Sequence, residues 1–211
     1  MMRKNVNKIW TSKEIRSYMK SFVNNSMDEN DRMIIGDIID VIPISVDGRL
    51  KSSMGYFSGK YKRSGEFLEP IKFKFAKRIN CYDDNTIKHI INHELLHLLS
   101  NKKYGRNTSH NKEWKEYCHK YGVNDDEFFT PNLELEKDYY HYHIYCQKCN
   151  KLVAIRDRLS KEKIIELLLY GNHVMDYGKL KIYDNKEGKY LDLNNIMVND
   201  SIMRLKMKGC I

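Results

Sequence analysis

Three residues in an otherwise apolar stretch have the types and spacing of a hydrolytic metal centre. His93, Glu94 and His97 form a His-Glu-x-x-His motif. On a helix, residues four apart leave the same face, so both imidazoles can reach one Zn²⁺. Such an ion activates a water and polarises a carbonyl, and Glu94 is placed to accept the water's proton as general base. Burying these groups among leucines and isoleucines without a partner would be costly, so the pattern predicts a catalytic zinc site.

A third protein ligand is needed, and three histidines are candidates for it. His89 precedes His93 by one helical turn, but three ligands on one straight helix cannot surround a single ion. His119 falls deep in a second predicted helix, where a solvated or core role is expected. His110 stands at the start of that helix, after a loop long enough for the chain to fold back. We therefore predict His110 as the third ligand.

Hydrophobic periodicity predicts the elements that lead up to this motif. A capping box at Thr11-x-x-Glu14 opens a helix over 12–26. The β-branched segment Asp40–Val46 is typical of a strand, and Pro43 within it favours an edge or a bulge. The glycine spacing over 54–65 predicts strand, turn and strand. Apolar and lysine residues alternate over Ile71–Ala76, as in a half-buried strand.

The motif itself is predicted to lie on a helix that starts near Asp83 and ends near Ser100. A polar loop, 101–111, follows it. A second helix then carries an apolar stripe that begins at Trp114 and is closed by Gly122. A short helix is also predicted over 160–171, followed by weak strand-like segments.

Composition predicts two domains in a protein of the cytoplasm. The 211 residues include 41% hydrophobic and 31% charged residues, and no apolar run approaches the length of a membrane span, so no membrane partner is expected. From Tyr139, aromatic residues and histidines crowd around Cys146 and Cys149, which predicts domains at 1–138 and 139–211. Five cysteines with one CxxC pair do not form a disulfide framework, and a reducing compartment fits better.

The positive charge is concentrated in one segment. The net charge is +9, and residues 49–78 hold nine lysines and arginines against two glutamates. Such a segment attracts phosphates, and Lys60, Lys62 and Arg63 are our candidates for nucleic-acid contacts. A solvated lysine-rich surface is the alternative.

Three stretches of the sequence together resemble the SprT-like zinc metalloproteases. The basic segment 45–80 is similar to the strand-rich region before the family's active-site helix. "HELLHLL" followed by "SHNKEW" resembles the family's HExxH and downstream Gly-His-Gly-x-x-aromatic motif, which again places a ligand at His110 and a packing aromatic at Trp114. "YHYHIYCQKCNKLVAIRDR" resembles its C-terminal zinc ribbon. The resemblance covers roughly residues 40 to 182.

The resemblance implies an α+β fold with two parts. The first is a small zincin-type protease domain, with an N-terminal helix, a short, mostly antiparallel sheet, and a motif helix packed on a second ligand-bearing helix. The second is a small zinc-ribbon-like domain. In related proteases an edge strand aligns the substrate backbone by β-augmentation, and Ile71–Ala76 is our candidate for that strand.

The sequence departs from the family pattern at two places. Ser109 and Asn111 replace glycines on either side of the third ligand. The ribbon's second CxxC is absent, and His173-x-x-Asp176 stands in its place. A second, structural zinc held by four residues is therefore one reading, and a ribbon without metal is the other. These four residues are Cys146, Cys149, His173 and Asp176.

The function implied is a zinc metalloendopeptidase that cleaves proteins associated with or crosslinked to DNA, as in DNA–protein crosslink repair. Its partners would be a protein substrate and DNA, with Arg156 and Arg158 of the ribbon as further DNA contacts and a nucleoid-associated location. Other readings are a YgjP-like zinc hydrolase, a protease with a dedicated or self target, and a non-catalytic, zinc-stabilised DNA-binding module. The sequence does not predict the oligomeric state.

Overall fold

The computed structural model describes residues 9–125, 130–173 and 178–193. These residues form an α+β structure with six helices and two small sheets. The helices are α1 (Ser12–Ser26), α2 (Glu29–Val41), α3 (Asp84–Tyr104), α4 (Lys112–Lys120), α5 (Leu133–Glu136) and α6 (Lys161–Tyr170). The strands are β1 (Ile44–Asp47), β2 (Gly55–Tyr61), β3 (Phe67–Ala76), β4 (Tyr142–Cys146), β5 (Leu152–Arg156), β6 (Leu180–Asp184) and β7 (Lys189–Tyr190).

The chain divides into two compact units between Thr130 and Pro131. This division falls before the boundary near residue 138 that the sequence predicts. The reason is that α5, which precedes residue 138, packs against β5 and so belongs to the second unit. None of the helices formed by the described residues combines the length and apolarity needed to cross a bilayer.

The two N-terminal helices begin at side-chain caps. The capping box of α1 is formed as predicted, with the Thr11 side chain and the Glu14 carboxylate each accepting from the other's backbone N–H. Asp28 caps α2. The predicted strand over Asp40–Val46 is wrong in its first half, because α2 continues to Val41 and strand pairing starts only at Ile44.

The first sheet has the order β1-β3-β2. Strand β1 pairs with β3 in parallel, and β2 pairs with β3 in antiparallel orientation. The prediction that Ile71–Ala76 is an edge strand is wrong, because this segment lies in β3 and β3 is paired on both sides. The strands with a free edge in this sheet are β1 and β2, and β2 is the one that packs extensively on α3.

Helix α3 is the central element of the first unit. Asp83 caps its start by accepting from two backbone N–H groups, and Gly105 ends it in the left-handed conformation that favours glycine. The helix extends to Tyr104 rather than Ser100, so the first four residues of the predicted loop are helical. Its apolar side chains are fully buried against β3, α1 and α2, with Leu95, Leu96, Leu98 and Leu99 at 0% exposure.

The second unit is a four-stranded antiparallel sheet with two helices packed against it, α5 on β5 and α6 on β6. The strand order is β5-β4-β6-β7. Helix α6 begins at the Ser160 cap and packs on β6. A small cluster of buried apolar residues lies in this unit, formed by Ile144, Ile164, Leu180 and Ile182.

Candidate metal centre

Helix α3 presents His93 and His97 one turn apart, and both rings are largely withdrawn from water. Burial, together with the neighbouring rings of His110 and His89, lowers the pKa of His93 to about 4. Burial is also the main cause that lowers the pKa of His97, with His93 and His110 adding to it. Both imidazoles are therefore neutral at pH 7. Neutral imidazole is the form that binds a metal ion.

The third predicted ligand, His110, lies in a tight turn that leads into α4. The backbone N–H of Asn111 donates to the Thr108 carbonyl at 3.0 Å, which closes this turn around Ser109 and His110. The Asn111 side chain then caps α4 by accepting from the Trp114 N–H. The turn thus places His110 just before the N-terminal end of α4, as the sequence predicts.

Trp114 of α4 packs against all three histidine rings. Its indole stacks on His97 with ring centroids 4.9 Å apart, and it meets His93 and His110 edge-on at 4.7 Å each. Trp114 is fully buried, so the rings have a rigid apolar wall on one side. Aromatic packing of this kind restricts the histidines to few rotamers.

A buried carboxylate holds the far end of α4 in place. Asp31 of α2 accepts hydrogen bonds from Lys120 and Tyr121 at 2.5 Å each, although it is only 1% exposed. Charge-assisted bonds of this kind are short and strong. Helix α4 is therefore fixed at its start by the turn over residues 108–111 and at its end by Asp31.

The three Nε2 atoms converge. His93 lies 3.1 Å from His110 and 3.3 Å from His97, and His97 lies 3.2 Å from His110. In a neutral imidazole each ring nitrogen is either a donor or an acceptor. Hydrogen bonds can therefore account for at most two of the three close Nε2–Nε2 contacts. Two nitrogens bound to one tetrahedral Zn²⁺ at about 2.0–2.1 Å lie ~3.3–3.4 Å apart. The donor set is therefore compatible with a zinc ion bound to all three.

Glu94 lies beside the first ligand and against the edge strand β2. Its Oε2 accepts a hydrogen bond from the Phe57 backbone N–H at 2.7 Å. Burial raises the pKa of Glu94 to about 7, and the Phe57 N–H opposes part of that increase. A carboxyl group with a pKa near neutrality is well matched to accept and release protons at neutral pH.

Gly55 at the start of β2 provides the space that Glu94 occupies. A Cβ atom at this position would lie 3.2 Å from Glu94 Cγ and 2.9 Å from the Phe75 ring. Both contacts are closer than ordinary van der Waals separation. The absence of a side chain at Gly55 thus lets the strand approach the catalytic candidate.

His119 and His89, the two histidines not chosen as the third ligand, do not join this group of ring nitrogens. His119 is exposed on α4 and its Nε2 is 3.3 Å from Asp125. His89 remains on the same helix as His93, where its charge affects the pKa of that residue. Among the described residues, the histidine group that could hold a metal is His93, His97 and His110.

A second group of possible ligands lies in the second unit. Cys146 at the end of β4, Cys149 in the following turn and His173 come within 4.8 Å of one another. Cys146 is buried and Cys149 is exposed, with its Sγ 3.6 Å from His173 Nδ1. The predicted fourth ligand, Asp176, lies outside the described residues.

The basic residues predicted to contact nucleic acid are exposed, and several have carboxylate partners. Lys60 pairs with Glu69 at 3.1 Å and Lys62 with Glu66 at 2.8 Å across the β2–β3 hairpin. Arg63 lies at the tip of this hairpin, and in the second unit Arg156 and Arg158 are also exposed. Surface pairs of this kind are weak, so they leave the hairpin lysines accessible to a phosphate.

One basic residue of segment 49–78 has a structural role instead. Arg78 is 4% exposed, and its guanidinium donates to the backbone carbonyls of Leu50, Lys51 and Ser53. It therefore orders the chain between β1 and β2 and does not contribute to a charged surface.

Three residues that support the centre do not follow from the motif pattern in the sequence. The Phe57 N–H and Gly55 contact Glu94 from β2, and no local pattern connects that strand to the motif helix. Asn101 was assigned to a loop, but it lies on α3 one turn after His97. Its spacing of four from a ligand was the signal that could have identified it.

Comparison of the chain with protein-family models, with curated proteins and with solved structures gives no match.

Proposed function

We propose that this chain is a zinc-dependent endopeptidase of the SprT-like type that cleaves proteins associated with or crosslinked to DNA. One observation supports the proposal above the others. Three imidazole nitrogens converge within 3.3 Å, and the carboxylate next to the first of them is buried against an edge strand.

His93, His97 and His110 would hold the zinc, and the bound ion supplies Lewis-acid activation of a water and of the scissile carbonyl. Glu94 acts as general base. Its carboxylate takes a proton from the attacking water and later delivers a proton to the leaving amine nitrogen. The pKa of about 7 allows both transfers at neutral pH.

Strand β2 replaces Ile71–Ala76 as the element that aligns the substrate. It is an edge strand, and it touches the motif helix at Glu94. An extended peptide that adds to this edge by backbone hydrogen bonds would lie beside the catalytic carboxylate. Backbone recognition of this kind suits an endopeptidase that acts on unfolded segments.

Activity and metal content of three variants test the proposal. Glu94→Gln should retain zinc but lose about 10²–10⁴-fold in cleavage of a denatured protein substrate. His110→Ala should lose one zinc equivalent together with activity. Glu116→Gln, which removes an exposed carboxylate of α4, is the matched control and should match wild type. A Glu94→Gln protein with full activity would refute the proposal, and a wild type that binds zinc and DNA without cleaving would favour the non-catalytic module.

The DNA part of the proposal is supported by the exposed cations of the β2–β3 hairpin and by the resemblance. Added DNA should accelerate cleavage of a DNA-bound protein, and raising the salt concentration should abolish the acceleration because phosphate contacts release counterions. If neither DNA nor salt changes the rate, a dedicated or self target becomes the better reading. Charge reversal at Arg63 should reduce the acceleration by DNA, whereas charge reversal at Arg32 of α2, the control, should not. This comparison shows whether the hairpin is the site of the effect.

We further propose that Cys146, Cys149 and His173 hold a second, structural zinc. Their proximity within 4.8 Å and their thiolate and imidazole chemistry support it. Wild type should then contain two zinc equivalents, and Cys146→Ser should contain one. A single equivalent in wild type, lost in His110→Ala, would favour a YgjP-like hydrolase.

A further inference from the structure

Asn101 connects the metal-ligand helix to the turn that carries the third ligand. It lies on α3 one turn after His97 and is 2% exposed. Its Oδ1 accepts from both the backbone N–H and the hydroxyl of Thr108, at 2.8 and 2.7 Å. Its Nδ2 donates to the Tyr61 hydroxyl of β2 at 2.8 Å. One buried amide therefore binds the helix, the turn and the edge strand together.

Thr108 is the residue that this amide fixes, and Thr108 begins the turn around His110. The Thr108 hydroxyl is also 2.7 Å from the Ser100 hydroxyl of α3, and its carbonyl accepts from Asn111. Thr108 is 1% exposed. Both ends of the turn are thus held, at Thr108 by α3 and at Asn111 by the start of α4.

We propose that Asn101 is a positioning residue for the metal centre: its side chain holds the 108–111 turn so that His110 meets the two histidines of α3. The proposal deepens the proposed function and rests on its assignment of the three histidines as zinc ligands. Positions 93, 97 and 101 are four residues apart in sequence, so one face of α3 supplies two ligands and the anchor of the third.

Position 101 requires a polar side chain whose oxygen accepts hydrogen bonds from Thr108. Thr108 presents two donors, its N–H and its O–H, and Tyr61 presents a hydroxyl oxygen that accepts a hydrogen bond from the amide N–H of Asn101. An apolar residue at position 101 would leave the Thr108 N–H buried without its acceptor, whereas the Thr108 hydroxyl would keep the Ser100 hydroxyl as a partner. An aspartate keeps the acceptor oxygens and can take a hydrogen bond from Tyr61, whose hydroxyl can reorient to donate.

Metal affinity in the full chain tests this role separately from stability. Zinc affinity is measured by competition with a chromophoric chelator. Outer residues that orient metal ligands change affinity by about 10–100-fold when mutated. We expect Asn101→Ala to weaken the histidine site by that factor, Tyr61→Phe to weaken it several-fold, and Asn101→Asp to restore most of the wild-type affinity.

Co²⁺ binding supplies a spectroscopic readout that a stability change does not affect. Near-ultraviolet thiolate bands report the cysteine group, and both groups can contribute visible d–d bands. The d–d bands of the histidine group are therefore recorded in a Cys146→Ser background, and the thiolate bands in the chain with all its cysteines. In Asn101→Ala the d–d bands of the histidine site should weaken or shift, and the thiolate bands should not change. Ile35→Ala, a truncation of a fully buried residue of α2, is the control that lowers stability but should leave both sets of bands unchanged.

The outcomes separate the two proposals. If wild type binds no metal at His93, His97 and His110, the proposed function fails. If wild type binds it and Asn101→Ala binds it equally well with an unchanged spectrum, the positioning role is refuted. Should Asn101→Ala fail to fold, the zinc affinities of Tyr61→Phe and Asn101→Asp are compared with that of wild type. An unchanged zinc affinity in Tyr61→Phe together with a strong loss in Asn101→Asp would contradict the proposal.

Discussion

The two groups of possible metal ligands are supported by very different amounts of structure. The histidine group is held by two helices, a fully buried tryptophan and a satisfied amide, and its nitrogens lie within 3.3 Å of one another. The cysteine group joins the end of β4 and the turn after it to His173, which follows α6, and Cys149 is exposed. In its unit, a cluster of buried apolar residues has four members, with partly buried side chains packed against them. The first group is therefore preorganised by packing, whereas the second has less packing around its ligand atoms, and we expect a bound metal to stabilise it.

This contrast predicts that metal removal affects the two units unequally, and it is the largest effect we expect. Structural zinc sites in small modules contribute about 10–16 kcal/mol of apparent binding free energy, which is also folding free energy. With a strong chelator, backbone amides of β4 and β6 should lose hydrogen-exchange protection. Amides of α3 and β3 should keep theirs, because a large apolar core surrounds them.

Cys146→Ser should reproduce the chelator effect on the second unit alone, and His97→Ala should not reproduce it. Equal loss of protection in both units after metal removal would contradict the contrast. Full retention of hydrogen-exchange protection in both units would also contradict the contrast, because the second unit would then fold on its aromatic and apolar residues without metal.

The rigidity of the histidine centre is tested next by Trp114→Ala. Removing a fully buried indole costs about 3–5 kcal/mol of unfolding free energy, and here it also frees three ligand rings. We therefore expect lower zinc affinity in addition to lower stability. Trp10→Ala is the matched control, because Trp10 is 1% exposed but pairs with Tyr18 and Asp84.

Chemical denaturation gives the stability of both tryptophan variants, and chelator competition gives their zinc affinity. The two variants should lose similar free energy of unfolding, but only Trp114→Ala should lose affinity. If both variants lose zinc affinity in proportion to their loss of unfolding free energy, the packing of Trp114 has no specific effect on the three histidines.

The sequence was a good guide where the chemistry is local. The motif helix, the capping box of α1 and the ligand candidate at His110 follow from spacing along the chain, because helical geometry fixes which residues share a face. His110 could be preferred over His89 and His119 for the same reason. Local rules of this kind also identified Trp114.

Long-range pairing was beyond the sequence. The alternation in Ile71–Ala76 predicts a strand but does not show which strands pair with it, so the sequence alone cannot distinguish the central β3 from an edge strand. Nor could local propensity show that α2 continues to Val41, where tertiary packing overrides β-branched composition. The contact of Phe57 with Glu94 joins residues 37 apart in sequence, and only the folded chain reveals it.

A smaller effect is expected at the contact between β2 and the motif helix. Gly55→Ala would place a Cβ 2.9 Å from the Phe75 ring and 3.2 Å from Glu94 Cγ. Overpacking of this kind costs about 1–3 kcal/mol. A displacement of Glu94 by even a fraction of an ångström should also reduce proteolysis, because misplacement by about 1 Å can cost 10²-fold in rate.

Zinc content should not change in Gly55→Ala, because the ligands are not touched, and this separates strand contact from metal loss. Gly36→Ala on α2 is the control, since a Cβ there meets nothing within 4 Å and a helical alanine is favourable. Normal activity in Gly55→Ala would show that β2 does not position the carboxylate.

The smallest effect concerns Ser109, where the chain has serine in place of the glycine that the resemblance leads one to expect. Its φ is +43°, in the left-handed region that is unfavourable for residues with a Cβ. Ser109→Gly removes about 1–2 kcal/mol of backbone strain, and the greater freedom of glycine in the unfolded chain offsets ~0.5–1 kcal/mol of that gain. A net stabilisation of about 0.5–1 kcal/mol by urea denaturation is therefore expected. Zinc affinity should stay the same, because Thr108 and Asn111 hold the turn on both sides. A loss of affinity in Ser109→Gly would mean instead that the serine itself stiffens the turn, and the histidine centre would then be less preorganised than its packing suggests.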